Sequence, residues 1–96
     1  MVSKKDNEDF YKRLEEQLVD SQQWPGTYLF KFIVKSDSSH IERIRSFFQT
    51  MDAHFTVKHS SKRNFVSLSA KVLMESPKAV TEIYRKMSQL EGVMAL

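Results

Sequence analysis

The chain has 96 residues and no cysteine. That absence excludes disulfides, iron–sulfur clusters, thiolate nucleophiles and cysteine-based zinc sites, and it suits a reducing compartment, so a cytoplasmic protein is expected. Glycine is almost missing as well. With only Gly26 and Gly92 there is no glycine-rich loop to cradle a phosphate. No apolar run approaches the roughly 20 residues of a membrane-spanning helix. Met1-Val2-Ser3-Lys4-Lys5-Asp6-Asn7-Glu8-Asp9 leads into no apolar stretch, so no secretory signal is read there. Metal-ligand spacing is lacking too: His40, His54 and His59 form no i, i+4 pair and no carboxylate cluster joins them.

What is present is the composition of a soluble globular domain. Hydrophobic residues make up 41% and charged residues 28%, enough apolar content to build a core rather than stay disordered. The length suits one modest core. Charge is uneven along the chain. Residues 1–24 hold four basic and six acidic side chains, whereas the rest holds eleven basic and six acidic. The body of the protein therefore attracts anions, although less strongly than a dedicated nucleic-acid binder.

Hydrophobic periodicity divides the chain into elements. From Asp6 to Gln22, Phe10, Leu14 and Leu18 recur at i, i+4, i+8, flanked by Tyr11 and Val19, which predicts an amphipathic helix. Trp24-Pro25-Gly26 ends it. Tyr28 to Lys35 is aromatic and β-branched and reads as a central strand, with Tyr28, Phe30, Phe32 and Val34 on one side. Ser36-Asp37-Ser38-Ser39 offers N-caps for a helix from about His40 to Thr50, buried through Ile41, Ile44, Phe47, Phe48 and Met51.

Two alternating runs follow, Phe55 to His59 and Phe65 to Met74, separated by the polar break Ser60-Ser61-Lys62-Arg63-Asn64. Period two around such a break predicts a hairpin. Val66, Leu68, Ala70, Val72 and Met74 form its core face. Ser76-Pro77 starts another helix, with Val80, Ile83, Tyr84, Met87 and Leu90 buried and Gly92 as its stop. Val93 to Leu96 is a short last strand.

The expected architecture is therefore an α+β protein. A helical extension at 1–24 precedes a ferredoxin-like β-α-β-β-α-β sandwich at 25–96, with a four-stranded antiparallel sheet and two helices on one face. The first and third strands belong in the middle. The opposite sheet face stays open, covered either by the leading helix or by a second copy, since Leu29, Ile33 and Phe65 would make a large apolar patch.

Three stretches carry a resemblance. They are Trp24-Pro25-Gly26-Thr27-Tyr28-Leu29-Phe30-Lys31-Phe32, Ser60 to Ser69, and Gly92-Val93-Met94-Ala95-Leu96. Together they resemble the small bacterial YbeD-like family, over roughly residues 22–96. The most specific element is Ser-Ser-Lys-X-Asn-aromatic-X-Ser. The resemblance implies a ferredoxin-like fold similar to the ACT-type regulatory domains of amino-acid metabolism, and it brings no catalytic residues. The family commonly has glycine where this chain has Arg63. Arginine avoids positive φ, so a longer loop with Asn64 in the left-handed conformation is expected.

Two candidate sites emerge. Ser60, Ser61, Lys62, Arg63 and Asn64 group hydroxyls, turn amides and two cations that suit a small anion or a partner. The other reading is a polar turn whose serines bond the local backbone. Lys31, Ile33, Phe65, Ser67 and Lys71 lie on the open sheet face. Basic and apolar groups interleaved there resemble a single-strand nucleic-acid platform, but Ser67 and Ala70 stand where further aromatics belong. Ser60-Ser61-Lys62 does not make a nucleophile, because activation needs a buried lysine and a hairpin tip is solvated. The expected function is a non-enzymatic binding or regulatory module without cofactor. It would act through a homodimer, another protein or a small anion, with nucleic acid as the alternative. The turn at Ser36 to Ser39 lacks the glycine that ACT-type ligand pockets often use.

Overall fold

A computed structural model describes residues 4–37 and 39–95. Along the chain it forms α1 (Lys4–Ser21), β1 (Gly26–Lys35), α2 (His40–Ser46), β2 (Ala53–His59), β3 (Phe65–Met74), α3 (Pro77–Met87) and β4 (Met94–Ala95). This is an α+β fold with one four-stranded antiparallel sheet, ordered β2-β3-β1-β4, and three helices. The two long strands are central, as their two-sided apolar content requires.

β1 pairs with β3 over ten residues, from Gly26 opposite Met74 to Lys35 opposite Phe65. This register sets Phe30 against Ala70, Phe32 against Leu68 and Val34 against Val66 on one face. All six are buried. Ile44 and Phe48 from the α2 segment and Val80, Ile83 and Met87 from α3 close over that face. Phe30 sits at the centre of an aromatic group, 5.1 Å from Phe48 and 5.4 Å from Tyr84 between ring centroids. Such pairs add about 0.5–1.5 kcal/mol each beyond the area they bury.

The leading helix does not cross the open face. α1 packs against α3, with Tyr11 and Leu18 buried and Leu14 half-buried. The expected stripe is thus rotated, and Phe10 is 61% exposed. The cause lies on α3, where Arg85 holds the Glu8 carboxylate in a two-pronged ion pair and stacks 4.5 Å from the Tyr11 ring centre. That contact turns Tyr11, not Phe10, toward the neighbouring helix. Past α1, the Trp24 indole N–H donates to the Leu18 carbonyl at 2.8 Å and closes the helix end.

Two further boundaries differ from expectation. α2 stops at Ser46 rather than Thr50, because Phe47 and Phe48 bond back three residues, to the Ile44 and Arg45 carbonyls. This tighter turn still delivers Phe48 to the core. Its N-cap, Ser39, makes no side-chain capping bond; the candidate cap Ser38 lies outside the described residues, as does Leu96. α3 begins as expected, with the Ser76 hydroxyl accepting from the Ala79 amide at 3.2 Å and Pro77 in the first turn. It ends at Met87 with Ser88 as its C-cap, however, and Gly92, at φ +78°, shapes the later turn into β4 instead of capping the helix.

Leu18→Ala should lower the unfolding free energy by about 2–3 kcal/mol, since the core around it collapses only partly. Phe10→Ser should change it by less than about 0.5 kcal/mol, as for other exposed positions. Chemical denaturation of the two variants checks this rotation of the helix.

Candidate functional site

Side chains on strands alternate, so the register that buries one face also composes the other. Extending the pairing across β2, β3, β1 and β4 gives rows of open-face residues. One row runs His54, Lys71, Leu29; the next Thr56, Ser69, Lys31; the next Lys58, Ser67, Ile33, Met94. Leu73 with Thr27 and Phe65 with Lys35 complete its two ends. Lys31, Ile33, Phe65, Ser67 and Lys71 therefore share one surface, as expected. Lys31 and Lys71 are exposed, Ser67 and Ile33 are half-buried, and Phe65 is 47% exposed.

The electrostatic character of this face is one-signed. The four strands contain no aspartate or glutamate, while Lys31, Lys35, Lys58 and Lys71 all project from the open side. Leu29, Leu73 and Met94 stand among them, each more than half exposed. Neighbouring strands lie about 4.8 Å apart, so these lysines share a field rather than acting singly.

At one end of the face the β2–β3 hairpin turns through Ser60 to Asn64. Ser60 organises it. Its amide bonds the Phe65 carbonyl at 2.9 Å, and its hydroxyl accepts from the amides of Asn64 and Phe65 at 3.1 and 3.2 Å. That oxygen is occupied by the loop's own backbone, the local role expected of turn serines. Ser61, Lys62, Arg63 and Asn64 are exposed. The loop is tied to the end of β1, where the Ser36 hydroxyl donates to the Arg63 carbonyl at 2.6 Å and the Ser36 amide to Asn64 at 3.0 Å. The shallow depression between them is lined by Lys35, Ser36, Asp37, Asn64 and Phe65, so a carboxylate already stands beside its one cation.

The left-handed residue is Arg63, at φ +57°, and not Asn64. Two bonds impose it. The Arg63 amide must reach the Ser60 carbonyl at 2.9 Å while its own carbonyl turns to Ser36. The strain falls where the family commonly has glycine.

A second concavity was not foreseen. A groove of about 430 Å³ opens between α1, α3, β1 and β4, walled by Phe10, Tyr11, Leu14, Tyr28, Tyr84, Met87 and Val93. Tyr28 and Tyr84 share a hydrogen bond at 3.0 Å. Burial first, then that bond, push the Tyr84 phenol above its ordinary value of 10.0. Tyrosines on otherwise apolar stripes were the available signal, because a half-buried phenol needs a partner for its hydroxyl.

These features define a small α+β module with a lysine-bearing, carboxylate-free sheet face and an apolar groove beneath its helices. The chain belongs to a protein family of unknown function (DUF493), whose model matches residues 20–96; this is the YbeD family. Its fold is similar to the solution structure of protein HP0495 from H. pylori, with a TM-score of 0.60 and 23% identity over 80% of this chain and 91% of that one. No curated protein matches the chain. Among the described residues no helix is long and apolar enough to cross a membrane.

Arg63→Gly should raise stability by about 0.5–1 kcal/mol, the relief at positive φ less the added chain entropy of glycine. Ser60→Ala should lower it by about 1 kcal/mol, because two loop amides lose their acceptor. Urea unfolding of both variants reads the effect. A tyrosine whose folded value is raised stabilises fully below its unfolded value and loses that contribution as pH climbs past it. Stability should therefore fall above pH 10, and Tyr84→Phe should flatten that decline in an alkaline thermal-melt series.

Proposed function

We propose that the protein is a cytoplasmic, non-enzymatic binding module of ferredoxin-like, ACT-like build, whose working surface is the open sheet face and whose partner is an acidic, amphipathic protein segment. The sheet order β2-β3-β1-β4, with both crossover helices over one face, is what two β-α-β units around a hairpin produce. The single observation behind the choice of partner is the composition of that face. Lys31, Lys35, Lys58 and Lys71 stand among Leu29, Leu73 and Met94, and no strand carries a carboxylate.

Physical chemistry separates the candidate partners. Two copies stacked through this face would set lysine against lysine, which costs energy at close approach. A single-stranded nucleic acid gains most from aromatic stacking, and among the described residues Phe65 is the one phenylalanine, tyrosine or tryptophan on the face, with only the smaller His54 ring besides. Aliphatic groups ringed by cations instead match a helix with leucines on one side and glutamates along its flanks. The hairpin cations Lys62 and Arg63 extend the same field and would steer such a segment on approach. A small anion is the weaker candidate, since Ser60 is engaged within the loop and Asp37 lines the adjacent depression.

The test is titration with a synthetic amphipathic peptide of leucines flanked by glutamates, beside an oligouridylate of similar length. The peptide should bind, weakening as salt rises from 50 to 300 mM. Charge reversal at Lys31 and Lys71 together should weaken it by about tenfold or more, as lost ion pairs of this kind do. Tighter binding of the oligouridylate, or an affinity indifferent to both salt and charge reversal, would refute the proposal.

A further inference from the structure

The charge that complements the open face is carried by the same chain, on α1. Asp9, Glu16 and Asp20 are spaced i, i+7, i+11 and so share one side of that helix. All three are exposed, because the opposite side, through Tyr11 and Leu18, is the one buried. Arg13 stands in this stripe and Lys12 at its margin, yet from Glu8 to Asp20 the helix carries five carboxylates, Glu8, Asp9, Glu15, Glu16 and Asp20, against these two cations. Phe10 and Val19 flank the stripe on either side, 61% and 56% exposed. Among the described residues, the ion pair of the fold joins Arg85 to Glu8, and neither the acidic stripe nor the lysines of the sheet face take part in it.

Spacing matches as well as sign. At about 1.5 Å of rise per helical residue, Asp20, Glu16 and Asp9 lie at about 0, 6 and 17 Å along the stripe. On the sheet, Lys71 stands opposite Leu29, so Lys71, Lys31 and Lys35 follow one another along the seam of β1 and β3. At about 3.4 Å per strand residue they lie at about 0, 7 and 20 Å. Differences of that size are taken up by a flexible lysine stem. Leu29 and Leu73, both exposed, stand beside the seam where Phe10 or Val19 would come to rest.

We propose that the occupant of the open face is α1 of a second copy of this chain, laid along the β1–β3 seam with Asp20, Glu16 and Asp9 on Lys71, Lys31 and Lys35. The inference rests on the reading of that face as the working surface, and it names the acidic partner. A copy cannot serve itself, since its own α1 is held against α3, on the helix side of the sheet, by Leu18 and the Glu8–Arg85 pair. Helix on face sets carboxylates against lysines, the reverse of two faces stacked together. The two surfaces differ, so the contact is heterologous, each copy offering one helix and one face.

The experiment is sedimentation velocity on the full chain. At 50 mM salt the mass should rise between about 10 μM and about 1 mM protein, and the association should weaken at least tenfold at 300 mM. Lys31→Glu with Lys71→Glu reverses the face, and Glu16→Lys with Asp20→Lys reverses the helix. Each variant alone should be monomeric, while an equimolar mixture should associate at least tenfold more tightly than either, because each then offers what the other lacks. If a reversed chain melts early, Glu16→Gln with Asp20→Gln replaces it and should weaken wild-type association at least threefold. A wild-type chain that stays monomeric at about 1 mM overturns the proposal, as does association that survives either reversal or a mixture that stays monomeric. A monomeric chain that still binds the leucine–glutamate peptide overturns self-docking alone and leaves the reading of the face standing; loss of both overturns both.

Discussion

The antiparallel pairing of β1 with β3 is the constraint on which every other feature depends. Ten residues on each strand fix one register, and a slip by one would exchange the two faces completely. In the observed register Phe30, Phe32, Val34, Val66, Leu68 and Val72 all turn to the helices. The same pairing then has no choice but to place Lys31, Lys35 and Lys71 together on the opposite side. Core and surface are two readings of one ladder.

From that ladder follow two surfaces with different chemistry. The open face gathers cations among aliphatic side chains and lacks carboxylates, a combination suited to long-range attraction followed by apolar contact. The groove between α1, α3, β1 and β4 is apolar, walled by Phe10, Leu14 and Met87 beside the hydrogen-bonded Tyr28 and Tyr84. The first depends on the length of β1 and β3, the second on the packing of α1 against α3.

The helix α1 connects these surfaces. By lying against α3 it leaves the sheet face exposed and supplies Phe10, Tyr11 and Leu14 to the groove wall. Its acidic residue Glu8 is engaged by Arg85, so the helix is oriented by charge as well as by the burial of Leu18. The hairpin tip is similarly committed. Ser60 and Ser36 hold its shape, and Arg63 accepts a left-handed backbone so that both sets of bonds can form.

Local periodicity by itself determined the elements, the core face of each strand and the grouping of Lys31, Ile33, Phe65, Ser67 and Lys71, because alternation and helical spacing are properties of neighbouring residues. Ser76-Pro77 marked a helix start for the same reason. The motif around Ser60 to Phe65 pointed to the family. Only tertiary structure decided the rest. Phe10 and Tyr11 both fit an amphipathic helix, and it took Arg85, on a helix distant in sequence, to select Tyr11. Arg63 rather than Asn64 became left-handed because Ser36, from another strand end, pulls on its carbonyl. The groove appears in no segment of the chain, since it is a gap between elements. A gap has no residue of its own to announce it.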